Sequence, residues 1–288
     1  MMKVKVAAVQ YAFKNIETPS QFVEQVTQYV ELAALHQPQF LLFPELSSAQ
    51  LLSIAKKEPY EAIRELDSYT ELYVDLFSGL SKKHGMHIIG GSHVTKNEQG
   101  EFVNRAYLFY PDGTHAFQDK IHLTPCEKHP WQLSAGKELK VFETEYTKVA
   151  ILTCYDIEFP ELSRQVMQQG ATIIFCPSST EQKQGMYRVR RCAQARAIEN
   201  QLYVVETGTL GEMSNVVNME NSTAWAGVFS PCDTHFPIGG VVAEGIEHQD
   251  MIIVGEIDLK LIEDVRVSGS VPLIQDRRHD LYTVEFKS

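Results

Sequence analysis

The stretch VAILTCYDIEFP (residues 149–160) joins an apolar run, a cysteine, a polar turn and a proline in that order. The β-branched run 149–153 predicts a buried strand. Pro160 suits the first turn of a helix, which we expect to extend to about residue 169. A strand followed directly by a helix is the repeating unit of α/β proteins.

The same alternation continues on both sides of this stretch, and the two halves of the chain resemble each other. In the second half, the predicted elements are strand 171–179, helix 187–200 and strand 202–208. In the first half, they are strand 4–10, helix 20–35, strand 39–43, helix 59–84, strand 86–94 and a hairpin of 106–110 with 115–123. Segment 39–48 resembles 171–179, and segment 86–94 resembles 202–210.

Each half is therefore a βαβαβ unit with nearly all-apolar strands, which predicts a sheet that is buried on both faces. Two such sheets can pack on each other and carry their helices on the outside. We predict an α/β fold, specifically a four-layer αββα sandwich with a pseudo-twofold repeat.

A single domain over residues 1–263 accounts for this repeat and for the last predicted strands, 226–229, 241–247 and 251–259. A polar tail over 264–288 follows, and its Tyr282 and Phe286 are predicted to pack on a neighbouring subunit. The tail therefore predicts a homodimer or a higher homo-oligomer.

Composition argues against several classes of partner. The 37 acidic residues outnumber the 26 basic ones, giving a net charge of −11, and no long Lys/Arg run occurs, so a nucleic-acid partner is not expected. No apolar stretch reaches the roughly 18 residues that span a bilayer, and the N-terminus lacks a signal-type apolar core, so we expect a cytoplasmic protein without a membrane partner. Metals, cofactors and a disulfide framework are not expected, because the five cysteines form no CxxC or Cys/His pattern: Cys126, Cys154, Cys176, Cys192 and Cys232.

Cys154 lies at the predicted strand end, in a strand–turn–helix arrangement that resembles a nucleophile elbow. Backbone N–H groups around such a turn are expected to lower the pKa of the thiol and to bind an oxyanion. The N–H of Tyr155 is the nearest predicted donor. The alternative is that Cys154 is a small buried apolar side chain.

Two further ionisable residues occupy comparable positions. Glu45 follows a predicted strand, and its neighbours Pro44 and Leu46 are expected to desolvate it and raise its pKa towards the range of a general base. A solvated loop carboxylate or a helix cap is the alternative. Lys120 lies in the predicted second hairpin strand, just before a loop rich in charged and aromatic residues, and would by itself be an ordinary surface lysine.

Taken together and in order, three motifs resemble the Glu-Lys-Cys triad of the nitrilase superfamily of carbon–nitrogen hydrolases. They are FPE (43–45), DKIHL (119–123) and LTCYD (152–156), the last followed by FPE (159–161). The similarity extends over most of the chain through GGS (90–92), NRAY (104–107) and ARAIEN (195–200). Segment 176–196 is most similar to a bacterial branch that is often fused to an N-acetyltransferase domain, which these 288 residues do not contain.

The resemblance implies a catalytic role for four residues: Glu45, Lys120, Cys154 and Glu127. Glu127 corresponds to a second acid that many members carry after the lysine. Its alternative is a loop salt bridge with Lys128 or Lys120. Glu158 departs from the family pattern, in which Arg or an apolar residue is common four positions after the cysteine.

The implied function is metal-independent hydrolysis of a non-peptide carbon–nitrogen bond in a small amide, ω-amide or carbamoyl compound, through a thioester on Cys154. Lys120 and the Tyr155 N–H would stabilise the oxyanion. Acyl transfer to an amine, nitrile hydrolysis and a catalytically silent ligand-binding scaffold are the alternatives, and the intact triad argues against the last.

The expected substrate-binding residues are Glu158, Tyr187, Arg188, Arg191 and Trp131. Arginines at this place suit a carboxylate-bearing substrate or serve salt bridges.

Overall fold

A computed structural model describes residues 3–54 and 59–286 of the chain. The strands in these ranges are β1 (Lys3–Ala12), β2 (Phe40–Leu42), β3 (His87–Lys96), β4 (Phe102–Phe109), β5 (His115–Asp119), β6 (Val141–Glu143), β7 (Lys148–Ile151), β8 (Ile173–Ser178), β9 (Tyr203–Leu210), β10 (Gly227–Phe229), β11 (Val241–Glu244) and β12 (Met251–Asp258). The helices are α1 (Pro19–Ala34), α2 (Pro59–Ala62), α3 (Thr70–His84), α4 (Pro125–Lys128), α5 (Pro160–Gln168), α6 (Lys183–Asn200) and α7 (Leu259–Ser268).

The strand order repeats between the two halves of the chain. The first sheet contains the strands of the first half and β12 from the C-terminal end, in the order β12-β1-β2-β3-β4-β5, and the second sheet has the order β6-β7-β8-β9-β10-β11. In both, the successive pairings are antiparallel, parallel, parallel, antiparallel and antiparallel. A short parallel pairing of Tyr11 and Ala12 with Thr209 and Leu210 joins the two sheets. The predicted pseudo-twofold repeat is therefore confirmed.

Side chains of alternate residues on each strand face two different apolar layers. On β1, Val4 and Val6 belong to the layer between the sheets, whereas Ala7 and Val9 pack with the helices of the first half. Across the middle layer, the rings of Phe40 and Phe175 are 5.4 Å apart. A third apolar cluster lies under the helices of the second half. Three apolar layers between four layers of elements confirm the αββα sandwich.

Helical structure in the first half is less regular than predicted. The predicted helix 59–84 consists of α2, a 3₁₀ segment over Ile63–Tyr69, and α3. The hairpin strand β5 ends at Asp119, so Lys120 follows the strand rather than lying inside it. None of the helices in the described ranges is both long and apolar enough to cross a membrane.

The C-terminal region differs from the predicted tail. Helix α7 crosses the predicted boundary at residue 263, because Leu259, Ile262 and Val265 are spaced to form one apolar face that packs into the layer between the sheets. Phe286 packs on the outer cluster of its own chain, whereas Tyr282 is exposed. Met1, Met2 and residues 55–58 of the predicted domain, and Lys287 and Ser288 of the tail, lie outside the described residues. Assembly with a neighbouring subunit stays a prediction.

Glu206 on β9 is fully buried, and burial raises its pKa to about 8, although Arg190 acts in the opposite direction. A raised pKa stabilises the folded state below the unfolded value of 4.5, and this stability is lost as the pH rises through about 8. We therefore expect the free energy of unfolding of Glu206→Gln, relative to the wild type, to increase with pH, by about 1.4 kcal/mol for each pKa unit removed. Urea unfolding at several pH values measures this difference. The exposed Glu263→Gln is the control, and a Glu206→Gln difference that stays constant with pH would contradict the expectation.

Candidate active site

Glu45 is held at the end of β2 by a close approach of two backbones. Gly91 has a φ of +79°, and a Cβ there would lie 1.9 Å from the carbonyl oxygen of Pro44, so only glycine fits. The pairing of β3 with β4 is irregular at this point, between Ile89 and Ser92. Leu46 donates its N–H to Ser92 Oγ at 3.2 Å. These contacts fix the Glu45 turn, and the Glu45 side chain is buried.

Lys120 is fully buried, and its ammonium lies between two carboxylates. Its Nζ is 2.8 Å from Glu45 Oε1 and 2.8 Å from Glu127 Oε2. Its backbone N–H donates to Asn104 O at 2.9 Å, which continues the strand ladder past Asp119. Burial alone lowers the pKa of a lysine, but Glu127 and Glu45 together raise the pKa of Lys120 well above its usual range. Lys120 is therefore a buried cation rather than a surface lysine.

Glu127 is fixed by its position in helix α4. Thr124 and Glu127 form a capping box, in which the Thr124 N–H donates to Glu127 Oε2 at 2.8 Å. Asn104 on β4 donates from Nδ2 to Glu127 Oε1 at 2.8 Å and to Glu45 Oε1 at 2.9 Å. Asn104 was not among the predicted site residues. The available signal was an amide side chain in a strand that is apolar apart from Asn104 and Arg105.

The Glu45 carboxyl has a raised pKa, as its apolar neighbours predicted. Burial is the largest cause, the Lys120 ammonium opposes it, and the Glu127 charge adds to it. The Cys154 thiol is a further hydrogen-bonding neighbour that favours the ionised carboxylate. The group is therefore closer to the range of a general base than a solvated glutamate.

Cys154 lies in a strained turn after β7, with a φ of +48° at the start of a 3₁₀ segment, Cys154–Glu158. Its Sγ is 3.8 Å from Ser179 O, and its side chain is buried. Burial and the Glu45 charge raise the pKa of the thiol well above its usual range, although Lys120 lowers it. The predicted lowering of this pKa is therefore wrong, because desolvation outweighs the nearby dipoles and the ammonium. Within the described residues, the Tyr155 N–H has no acceptor.

Asp156 ties the cysteine turn to the segment that follows Lys120. Its carboxylate accepts hydrogen bonds from the His122 N–H at 2.7 Å, from the Ile121 N–H at 3.2 Å and from His122 Nδ1 at 3.0 Å. Arg196 on α6 fixes the other end of the turn by donating to the carbonyl oxygens of Ile157 and Glu158. The sequence motifs contained both residues, but their positioning roles were not predicted.

Cys154 lines two cavities that share four residues. The inner cavity, of about 30 Å³, is also lined by Glu45, Lys120, Glu127 and Trp131. The outer cleft, of about 340 Å³, extends past Tyr155. The residues common to both are Thr124, Cys154, Ser179 and Asn218. A group attached at the sulfur can therefore reach the buried ionic cluster on one side and the open cleft on the other.

The predicted substrate-binding residues divide into three groups. Trp131 is buried and lines the inner cavity. Glu158 and Arg188 line the outer cleft and form an ion pair with an Nε–Oε2 distance of 2.7 Å. The structure does not bring Tyr187 or Arg191 to either cavity.

The two residues of helix α6 that line neither cavity have other partners. Tyr187 donates to Glu247 at 3.1 Å and packs edge-on against Trp225. Arg191 is exposed and donates to Gln194 at 3.1 Å. Successive helix positions are about 100° apart, so the face that presents Arg188 to the cleft turns Tyr187 away from it.

Comparison with known proteins places this arrangement in a family. A family model for carbon-nitrogen hydrolases matches residues 5–267. The probable hydrolase YhcX of Bacillus subtilis (strain 168) is 42% identical over 99% of this chain, which spans 55% of that protein. The omega-amidase NIT2 of Xenopus tropicalis is 28% identical over 100% of this chain and 99% of its own length.

The fold comparison agrees with the sequence comparison. The crystal structure of a carbon-nitrogen hydrolase from Helicobacter pylori G27 superposes with a TM-score of 0.83 at 21% identity, covering 98% of this chain and 97% of the other. The match of the family model and the sequence relatives confirm the predicted resemblance to carbon–nitrogen hydrolases. A match over residues 5–267 covers nearly the whole chain, and the chain belongs to the carbon–nitrogen hydrolase family.

Proposed function

We propose that this chain hydrolyses the carbon–nitrogen bond of a primary amide or carbamoyl group, through a thioester on Cys154. The observation that carries the proposal is the convergence of three distant segments on one buried cavity. Lys120 Nζ lies 2.8 Å from each of two glutamates, and the Cys154 side chain lines the same cavity. Burying several charged groups costs folding free energy, and a buried ionic cluster of this kind is therefore typical of a functional site.

The two glutamates differ in which oxygens are free. Glu45 Oε1 accepts from both Lys120 and Asn104, and Oε2 has no N–H donor in the described part of the chain. Both oxygens of Glu127 are engaged, Oε1 by Asn104 and Oε2 by Lys120 and the Thr124 N–H. We therefore assign Glu45 as the general base and Glu127 as the residue that orients Lys120.

Acylation begins with a neutral thiol. Glu45 takes the proton of Cys154, and the sulfur bonds to the carbonyl carbon of the amide. The Lys120 ammonium and the Tyr155 N–H stabilise the oxyanion that forms. When the oxyanion collapses, the carbon–nitrogen bond breaks, and Glu45 gives its proton to the leaving nitrogen. The products of this half-reaction are ammonia and a thioester.

Deacylation reuses the same groups. Glu45 deprotonates a water molecule, and the resulting hydroxide attacks the thioester carbon. The carbon–sulfur bond then breaks, the proton returns to Cys154, and a carboxylic acid leaves. Lys120 and the Tyr155 N–H stabilise the second oxyanion as they did the first.

Cavity sizes support a substrate with an unsubstituted nitrogen. The inner cavity, of about 30 Å³, is much smaller than the outer cleft. An NH₂ group fits such a space, whereas the rest of the substrate must lie in the outer cleft of about 340 Å³. Similarity to an omega-amidase supports the same class of substrate.

Ammonia release from a panel of ω-amides, carbamoyl amines and short peptide amides tests the proposed reaction. For each active compound, the N-methyl amide is the matched control, and we expect it to react at least about 10-fold more slowly because the extra methyl group does not fit the inner cavity. Equal rates for the two compounds would contradict the assignment of the inner cavity to the leaving nitrogen. A panel without turnover would instead favour a silent scaffold.

The two other enzymatic alternatives give different products. If an added amine diverts the acyl group into a new amide while the rate of thioester turnover stays unchanged, the result would favour acyl transfer. Turnover of the corresponding nitrile in preference to the amide would favour nitrile hydrolysis.

A further inference from the structure

Asn104 makes an unusual pair of contacts at the centre of the ionic cluster. The residue is fully buried on β4, and its Nδ2 donates to Glu45 Oε1 at 2.9 Å and to Glu127 Oε1 at 2.8 Å. A primary amide carries two N–H groups, so both are used on carboxylates. The Oδ1 atom is buried and has no hydrogen-bond donor within the described residues. The two glutamates alone therefore orient this side chain.

The same residue also holds the third member of the cluster. The carbonyl oxygen of Asn104 accepts the Lys120 N–H at 2.9 Å. Its side chain thus contacts both glutamates, and its backbone contacts the lysine. A substitution of the side chain leaves the backbone contact in place, so the two roles can be separated.

Without Asn104, a single ammonium would have to compensate two buried carboxylates. Lys120 and Asn104 bridge the glutamates from two sides, which closes a ring of four hydrogen bonds. Hydrogen bonds from an amide favour the ionised form of a carboxylate. They also fix its rotation, because Glu45 Oε1 is then engaged twice.

We propose that Asn104 is a positioning residue that keeps Glu45 ionised and turned so that its Oε2, and not Oε1, accepts the proton of Cys154. This inference rests on the proposed function, since it assumes that Glu45 is the base. It adds a residue that acts through Glu45 and contacts neither the sulfur nor the substrate in the proposed reaction.

Asn104→Leu removes both hydrogen bonds and replaces the amide with an apolar side chain of similar size. We expect kcat towards an active primary amide to fall about 10²-fold with KM nearly unchanged, because the base is misplaced rather than the substrate. We also expect the acidic limb of the pH profile of kcat/KM to move upward by about one pH unit, because Glu45 binds its proton more tightly. A purely structural role would lower the rate without moving the limb.

Gln10→Leu is the matched control, because Gln10 is a buried amide that also donates two hydrogen bonds, to the carbonyl oxygens of Ile246 and Gln249. We expect this variant to keep the wild-type acidic limb. A folded Asn104→Leu with an unshifted limb and a kcat within a few fold of wild type would overturn the inference.

Asn104→Asp tests the proposal independently if the leucine variant does not fold. An ionised carboxylate at this position would repel both glutamates, whereas the protonated carboxyl can still donate one hydrogen bond. We expect the activity of this variant, relative to wild type at the same pH, to rise as the pH is lowered. A ratio that is constant or falls towards low pH would overturn the inference. Hydrolysis by Cys154→Ala at a rate within a few fold of the wild type would instead refute the proposed function, which distinguishes the two failures.

Discussion

Cys154→Ala is expected to hydrolyse an active primary amide about 10⁴-fold more slowly than the wild type, or not at all. Without the sulfur no thioester forms. Hydrolysis then requires direct attack of water on the amide, and the remaining oxyanion donors assist this attack only weakly. The measurement is ammonia release at saturating substrate, together with a thermal unfolding curve that shows an intact fold.

Cys192→Ala is the control for this variant, because Cys192 is a partly buried thiol on α6 away from both cavities. We expect this variant to retain activity within a few fold. A Cys154→Ala enzyme that keeps its activity, while Cys176→Ala loses it, would show that the nucleophile has been misassigned.

Lys120→Met is expected to abolish activity and to destabilise the fold by about 3–5 kcal/mol near neutral pH, because two buried carboxylates lose their shared cation. Without the ammonium, the pKa of Glu45, which burial already raises, rises further above its unfolded value. A carboxyl with a raised folded pKa stabilises the folded state below the unfolded pKa and loses that contribution as the pH rises. The variant should therefore be least destabilised under acidic conditions.

Urea unfolding of Lys120→Met and wild type at about pH 5 and about pH 7.5 measures this difference. Lys260→Met is the control, because Lys260 forms an exposed ion pair with Asp264 on α7, and such pairs contribute little. If Lys120→Met lowers the free energy of unfolding as little as the control does, this result would contradict the view that the lysine holds the cluster together. A loss of equal size at both pH values would show that Glu45 does not titrate as expected.

Sequence reasoning recovered the parts of the molecule that depend on local pattern. Apolar periodicity and turn residues located the repeated strands and helices, because a buried strand and an amphipathic helix each impose a spacing on the chain. Glu45 and Cys154 were selected as candidates because they follow apolar strands, where α/β sheets present their side chains. Lys120 needed the family resemblance, since an isolated lysine in a hairpin carries no distinguishing pattern.

Features that depend on packing were missed or mistaken. Desolvation at Cys154 outweighs the backbone N–H groups, which no local pattern reveals. Asn104 and Asp156 act through contacts with residues at least 23 positions away, so their partners become visible only in three dimensions. The rotation of helix α6 placed Arg188 at the cleft and turned Tyr187 away, a difference that depends on how the helix packs.

The central claim is that Cys154 carries the acyl group during turnover. Mass spectrometry of the enzyme, acid-quenched while it hydrolyses an active primary amide and then digested to peptides, tests this claim most directly. We predict an added mass equal to that of the acyl group on the peptide that contains Cys154, and its absence from Cys154→Ala. An acyl mass on another cysteine, or continued turnover by Cys154→Ala with no acylated cysteine, would contradict the account.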